Sequence, residues 1–222
     1  MIRQIKRNYL LLKPFLWKFT ITVTLKTKRF LDFIISLFLI IFLLPFFVLV
    51  SLIIYVDNPG PIIFTQKRVG KFGRVFDFYK FRSMKTNAES LKKELLAQNE
   101  SQDGVIFKMK NDPRITRFGR IMRKLSIDEM PQLYNVLKGD MSLVGPRPAV
   151  PSEVKEYTLK ERKRLNIVPG ITCIWQISGR SDIPFNKQVE LDLMYIQSQN
   201  LFKDLKILLK TIPAVILGKG AY

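Results

Sequence analysis

Phe33–Val56 carries no charged residue and is almost wholly apolar, in a chain otherwise dense in charge. As one helix it would reach about 36 Å at about 1.5 Å per residue. A hydrocarbon core is about 30 Å thick, so a single spanning helix is one reading. Pro45 stands mid-run, in Leu43-Leu44-Pro45-Phe46. There its missing N–H and its ring kink a helix. Both flanks are basic, with Lys26, Lys28 and Arg29 before the run and Lys67, Arg68 and Lys71 after it. Positive charge prefers the cytoplasmic side. A re-entrant helix that enters, bends at Pro45 and returns satisfies both facts. On these residues alone, spanning and re-entrant stand level. The run is too long for a cleaved signal peptide, and no small-residue cleavage site follows it.

The first thirty residues carry Arg3, Lys6, Arg7, Lys13, Lys18, Lys26, Lys28 and Arg29 and no acid, interleaved with Leu, Phe and Trp17. That pattern suits a basic amphipathic arm on anionic lipid; a disordered basic tail is the alternative. Over 222 residues the formal charge is +19, which points to an anionic partner: nucleic acid, an acidic membrane or a phosphorylated substrate. There is no histidine and one cysteine, Cys173. An intrachain disulfide and a zinc site are excluded. A hard ion such as Mg²⁺, held by carboxylate and phosphate oxygens, remains open. Any chemistry falls mainly to carboxylates.

Asn58-Pro59-Gly60-Pro61 closes the apolar element as a turn. Ile62 to Arg68 and Arg74 to Arg82 read as two strands of a hairpin around Gly70-Lys71-Phe72-Gly73. Asn87 to Asn99 reads as helical, with Leu91, Leu95 and Leu96 on one side. Thr116 is placed to cap a helix ending near Lys124, and Ser126 to start another reaching Lys138. Gly139 to Pro148 and Pro169 to Arg180 read as loops. Leu191, Met194, Tyr195 and Leu201 to Leu217 supply apolar faces of C-terminal helices. Lys203, Lys206 and Lys210 punctuate the last one, as in an interfacial amphipathic helix; an ordinary core helix fits nearly as well. The fold class expected is α+β, mainly helical. The expected organisation is an arm over 1–29, a membrane helix over 30–57 and a catalytic domain over 58–222.

Asp128 and Glu129 stand adjacent in Leu125-Ser126-Ile127-Asp128-Glu129-Met130-Pro131-Gln132-Leu133. Ser126-x-x-Glu129 matches a capping box, with Asp128 in the first helical turn, where the dipole favours a carboxylate and lowers its pKa. That structural reading explains both acids. A functional one is compatible: an ionised carboxylate of fixed direction is what a nucleophile or metal ligand needs. Arg114, Arg117, Arg120 and Arg123 recur every third residue. The first two read as a solvated or lipid-facing ridge, and Arg123 is close enough to share an anion with Asp128. Gly139 to Pro148 offers exposed amides and, in Gly145-Pro146-Arg147-Pro148, a stiffly held arginine suited to phosphate. Lys80 and Arg82 add two cations at the end of a strand.

Pro59 to Gly70, Lys80-Phe81-Arg82-Ser83-Met84, Leu125 to Leu133 and Gly139 to Pro148 together resemble the bacterial sugar transferases, the monotopic polyprenyl-phosphate phosphoglycosyl transferases. The resemblance runs from about Lys28 to Tyr222. Val189-Glu190-Leu191-Asp192-Leu193 and Thr211-Ile212-Pro213 resemble the branch of exopolysaccharide and O-antigen synthesis. The chain looks like the catalytic unit without the extra N-terminal spans of larger relatives. The resemblance implies a re-entrant helix kinked at a Ser-Pro pair, both ends cytoplasmic, at the bacterial inner membrane. Here Pro45 is kept and Leu44 stands at the serine. It also implies that Asp128 attacks the β-phosphorus of a UDP-sugar, here a UDP-hexose, and expels UMP. The phosphosugar would then pass to undecaprenyl (polyprenyl) phosphate. Mg²⁺ on Asp128 and substrate phosphates would neutralise charge. Glu129 would assist, Arg123 and Arg147 would bind phosphate, and Lys80 would support the site. Arg82, Gln176 and Arg180 complete the expected substrate-binding set. In Pro169 to Arg180, near the nucleotide-sugar, a glycine is usual where Cys173 stands, and Trp175 reads as a packing residue. A homodimer is compatible with such a chain.

Two rival classes explain part of this pattern. A membrane-tethered nucleic-acid-binding or scaffold protein would explain the charge but leaves Asp128-Glu129 and Gly145-Pro146-Arg147-Pro148 without purpose. A CDP-alcohol phosphotransferase needs several spaced aspartates and several spanning helices, and neither is visible here.

Overall fold

The computed structural model describes residues 2–88, 90, 91, 109, 111–218 and 220, with the backbone alone for residues 2–19 and 21. Helix α1 spans Ile2–Phe42 and α2 spans Leu44–Asp57. Pro45 lies in the first turn of α2, just after the break. Between Thr22–Phe42 and Leu44–Asp57 the axis bends by 61°. Proline removes one donor from the ladder and crowds the preceding turn, so the bend does not require the serine that Leu44 replaces. No single described helix is long and apolar enough to cross a membrane, whereas this bent pair together meets the length and composition needed.

One face of the pair is core. Leu39, Ile40 and Phe47 pack against Phe76, Phe78, Leu133, Val136, Met141, Leu143, Val144, Tyr195 and Ile207. Val50 and Ile54 pack against Phe81 and Met122. The other face is bare: Ile41, Phe42, Leu52 and Val56 are 60–82% exposed.

Polar contacts fix the start of the bent pair. Lys28 Nζ donates to Asp204 Oδ2 at 2.6 Å, and Asp204 Oδ1 accepts the Tyr195 hydroxyl at 2.7 Å. Asp32 Oδ1 accepts the Leu143 amide at 3.2 Å. Lys28, Asp32 and Asp204 are all buried. Arg29 donates to the Val136 and Leu137 carbonyls. These carbonyls lie at the end of helix α4 (Gln132–Lys138), where Val136 O also accepts the Gly139 amide at 3.1 Å and a cation meets the negative end of the helix dipole. At the far end of the pair, Arg82 donates to the Asn58 carbonyl, just past α2.

Strands β1 (Ile63–Val69) and β2 (Val75–Phe81) form the expected hairpin, in register from Ile63↔Phe81 to Val69↔Val75. Helix α3 (Arg117–Lys124) is capped as expected, Thr116 Oγ1 accepting the Gly119 amide. Beyond Leu91, the helix expected over Asn87–Asn99 lies outside the described residues.

The loop reading of Gly139–Pro148 is corrected. Strand β3 (Ser142–Val144) pairs in parallel with β4 (Gly170–Thr172) inside it. Strands of three residues are too short to show a period of two. Gly145 and Gly170 permit the close crossing, since a Cβ on Gly145 would lie 2.6 Å from the Val168 carbonyl oxygen. The amides expected to be exposed are consumed: Ser142 N donates to Pro169 O at 2.8 Å and Gly145 N to Thr172 O at 3.0 Å.

Short helices α5 (Pro151–Lys155) and α6 (Leu159–Arg162) lead to α7 (Phe185–Gln197) and α8 (Leu201–Leu217). Helix α8 buries Asp204 and Ile207 and exposes Phe202, Leu205, Leu209, Ile212 and Ile216, an apolar outer stripe at helical spacing. The molecule is mainly helical with a small antiparallel hairpin and a bent helix pair.

The Lys28–Asp204 pair yields a prediction. Lys28→Met strands a buried carboxylate and should cost about 3–5 kcal/mol. Lys28→Met with Asp204→Leu should recover most of that in thermal unfolding of the detergent-solubilised protein. A loss below about 1 kcal/mol for the single variant would mean that the pair does not hold α1.

Candidate active site

Lys80, near the end of β2, projects between two carboxylates. Its Nζ lies 3.4 Å from Asp128 Oδ2 and 2.7 Å from Glu129 Oε1. Arg147 donates through Nη2 to Glu129 Oε1 at 2.6 Å and through Nη1 to Glu129 Oε2 at 3.2 Å, a forked pair. Asp128 is 4% exposed. Asp128 Oδ1 accepts no hydrogen bond among the described residues.

The backbone beneath the carboxylates is not the capped helix the spacing suggests. Residues Ile127–Glu129 form one 3₁₀ turn, and α4 begins only at Gln132, after Pro131. Ser126 sits in the left-handed region at φ 54° and caps nothing. Glu129 points to Lys80 and Arg147 rather than back to the Ser126 amide. Three bonds from two cations outcompete one reciprocal bond from a neutral amide. A left-handed non-glycine residue next to a reactive pair is a known form of local strain.

The expected lowering of the Asp128 pKa is also corrected. Burial pushes this carboxyl above its usual range, with Glu129 adding to the rise. Lys80, Arg123 and Arg147 pull the other way. Burial likewise acts to raise Glu129, but the attraction and hydrogen bonds of Arg147 and Lys80 outweigh it and hold Glu129 well below the carboxylate range. One acid of the pair is thus caged by cations, and its neighbour is the less committed.

Arg147 is fixed through the backbone of its neighbours. Gly170 N donates to Pro146 O at 2.9 Å, and Val69 N to Ala149 O at 2.8 Å. Arg68 Nη1 donates to Pro148 O at 3.0 Å. Burial, with repulsion from Arg147, lowers the Arg68 pKa to about 10. Asn135, fully buried, accepts the Tyr79 amide at 3.2 Å and donates to Asp77 O at 2.6 Å, holding the free edge of β2 beside Lys80. Behind the Arg147 loop, Arg164 binds Asp192 Oδ2 at 2.8 Å and the Tyr157 hydroxyl at 2.9 Å. Burial pushes Asp192 up to about 6 despite Arg164. Of these supports, Asp192 had a signal in the sequence, an acid at helical spacing from Phe185, Val189 and Tyr195, whereas Asn135 sits between Gln132 and Lys138 on its helix face and does not stand out. Arg68 had none, because its strand position says nothing of Pro148.

Lys80, Asp128, Glu129 and Arg147 are in direct contact, and Arg123 acts on Asp128 through space. Arg180, at φ 53°, donates to the Lys124 carbonyl at 3.3 Å and is within electrostatic reach of both carboxylates. Gln176 is one step removed, accepting from Cys173 Sγ at 3.1 Å. Cys173 and Trp175 are both buried. Arg82 stands apart, buried against Asn58 and Gly60 at the end of α2.

The residues suit Mg²⁺ in its usual mode, with one or two carboxylates and the rest of the shell from substrate phosphates and water. No cluster of three acidic, cysteine or histidine ligands occurs among the described residues. Asp128 Oδ1 is the carboxylate oxygen left over for such a role.

The bacterial sugar transferase family model matches residues 23–218. The galactosyl transferase CpsE of Streptococcus agalactiae is 53% identical over 73% of this chain and 36% of its own length. The undecaprenyl-phosphate galactose phosphotransferase of Salmonella typhimurium is 43% identical over 88% of this chain and 41% of its own. The exopolysaccharide production protein ExoY of Sinorhizobium fredii is 39% identical over 88% of both. The chain therefore spans less than half the length of the first two relatives and most of the third. With the matched region covering the bent helix pair, the carboxylate pair and both C-terminal helices, this chain belongs to the bacterial sugar transferase family.

Proposed function

We propose that the protein transfers a hexose-1-phosphate from a UDP-hexose to undecaprenyl (polyprenyl) phosphate, releasing UMP, as the first membrane step of exopolysaccharide, capsule or O-antigen synthesis. The observation that carries this reading is a buried aspartate, one oxygen uncommitted, in a ring of cations within a chain of this family. Two of the relatives are a galactosyl transferase and a galactose phosphotransferase, which favours galactose as the hexose.

The Asp128 carboxylate attacks the β-phosphorus of the donor, the P–O bond to UMP breaks, and a phosphosugar-aspartate forms. An oxygen of the acceptor phosphate then attacks the same phosphorus, and the P–O bond to Asp128 breaks. The product is the lipid-linked sugar diphosphate. Lys80, 3.4 Å from Asp128, favours the ionised nucleophile that burial disfavours. Arg123, Arg147 and Arg180 supply positive charge for the diphosphate. Mg²⁺, held by Asp128 and donor phosphates, would supply further charge neutralisation.

We also read the bent pair as a re-entrant membrane element with both ends on the cytoplasmic face. Lys28 and Arg29 at one end and Asn58 at the other are bonded to the same folded body. The surface between them is bare and apolar. The outer stripe of α8, flanked by Lys206 and Lys210, suits the same interface.

Purified protein with Mg²⁺, UDP-galactose and undecaprenyl phosphate should release UMP, and Asp128→Asn should cut the rate by about 10³-fold or more. No UMP from any UDP-sugar would remove the transferase reading. For topology, single cysteines at Lys26 and Lys67 should both react with an impermeant maleimide in inverted vesicles and neither in spheroplasts. Labelling from opposite sides would make the pair a span.

A further inference from the structure

The arginine best shaped to grip a diphosphate is already gripping something. Both terminal nitrogens of Arg147 lie on Glu129, and a guanidinium fork fits a carboxylate and a phosphate alike. We propose that Glu129 is a built-in stand-in for the donor diphosphate on Arg147, and that donor binding proceeds by exchange of this ion pair. The inference rests on the transferase reading and adds how that site takes its substrate.

Four features carry it. First, a cation this enclosed needs a counter-anion when the site is empty, and Glu129 is the only carboxylate bonded to Arg147 among the described residues. Second, the exchange strands nothing. Glu129 Oε1 keeps Lys80 at 2.7 Å after Arg147 leaves, and only Oε2, bound to Arg147 alone at 3.2 Å, is released. Third, the pair is reachable, the Arg147 and Glu129 side chains being 22% and 14% exposed. The backbone on either side of Arg147 is meanwhile pinned, through Pro146 O to Gly170 N, Pro148 O to Arg68 and Ala149 O to Val69 N, so the exchange needs only a side-chain turn. Fourth, first contact has its own cations: among the described residues Arg123 is in no ion pair and Arg180 is in none either, its guanidinium donating to the Lys124 carbonyl at 3.3 Å. A diphosphate meets these two first and then draws Arg147 across. Glu129 Oε2, freed, faces the site during the chemistry.

A double-mutant cycle on UDP affinity tests this, using the full-length protein in detergent with Mg²⁺. Glu129→Gln should tighten UDP binding about tenfold when Arg147 is present, and less than about twofold in an Arg147→Met background. Equal tightening in both backgrounds would show plain repulsion between Glu129 and phosphate and overturn the exchange. Weaker binding in Glu129→Gln would overturn it too, because Glu129 would then be positioning Arg147 for the diphosphate. If Arg147→Met does not fold, Arg147→Lys keeps the charge without the fork, and the gain from Glu129→Gln should shrink in it. UMP release by the wild type, measured alongside, separates the two claims. Release with a failed cycle removes the exchange alone; neither release nor UDP binding removes the transferase reading and the exchange with it.

Discussion

Lys28 and Arg29 carry the last positive charges before an uncharged apolar run, and the placement of everything downstream follows from where those charges go. Lys28 is buried against Asp204 of α8, and Arg29 satisfies the last carbonyls of α4. Both are strong contacts in a low-dielectric setting, and neither survives a large displacement of α1. Helix α4 begins three residues after Glu129, and α8 packs beside β3, the strand that leads to Arg147. Asp32 adds a direct bond to β3 through the Leu143 amide. The apolar element and the carboxylate pair are therefore fixed to one another through a few buried polar contacts. Under the proposed function, a site that serves a lipid-borne acceptor needs such a fixed height above the membrane plane.

Much of this architecture was legible in the residues. Pro45 in an apolar run gave the bend, and turn chemistry gave the hairpin within a residue at each end. Thr116 gave its helix start. The misses share a cause: local pattern was read where tertiary contacts decide. Ser126-x-x-Glu129 has the spacing of a capping box, yet Glu129 belongs to Lys80 and Arg147, which are distant in sequence. The glycine- and proline-rich stretch around Arg147 reads as a loop with free amides, yet a parallel partner 28 residues on, Ser142 opposite Gly170, consumes them. Parallel pairing between segments so short leaves no periodic trace. Arg82 shares a motif with Lys80, yet the strand ends before it and its guanidinium turns to Asn58.

The carboxylate pair shows how two adjacent acids acquire different characters. Asp128 is buried and Glu129 mostly so, and burial alone would raise both. Glu129 takes three bonds from two cations and stays firmly ionised, whereas Asp128 receives one longer contact from Lys80. The difference is set by side-chain direction on a single tight turn, which the strained Ser126 helps to make. Asp128 is the acid left available for bond formation, and this is the centre of the account. The most direct measurement is intact-protein and peptide mass spectrometry after incubation with Mg²⁺ and UDP-galactose in the absence of acceptor. The account predicts a mass gain of one hexose phosphate, mapped to Asp128, lost on addition of undecaprenyl phosphate and absent in Asp128→Asn. An adduct on Glu129, or UMP release coupled to lipid product with no adduct at any time, would contradict it.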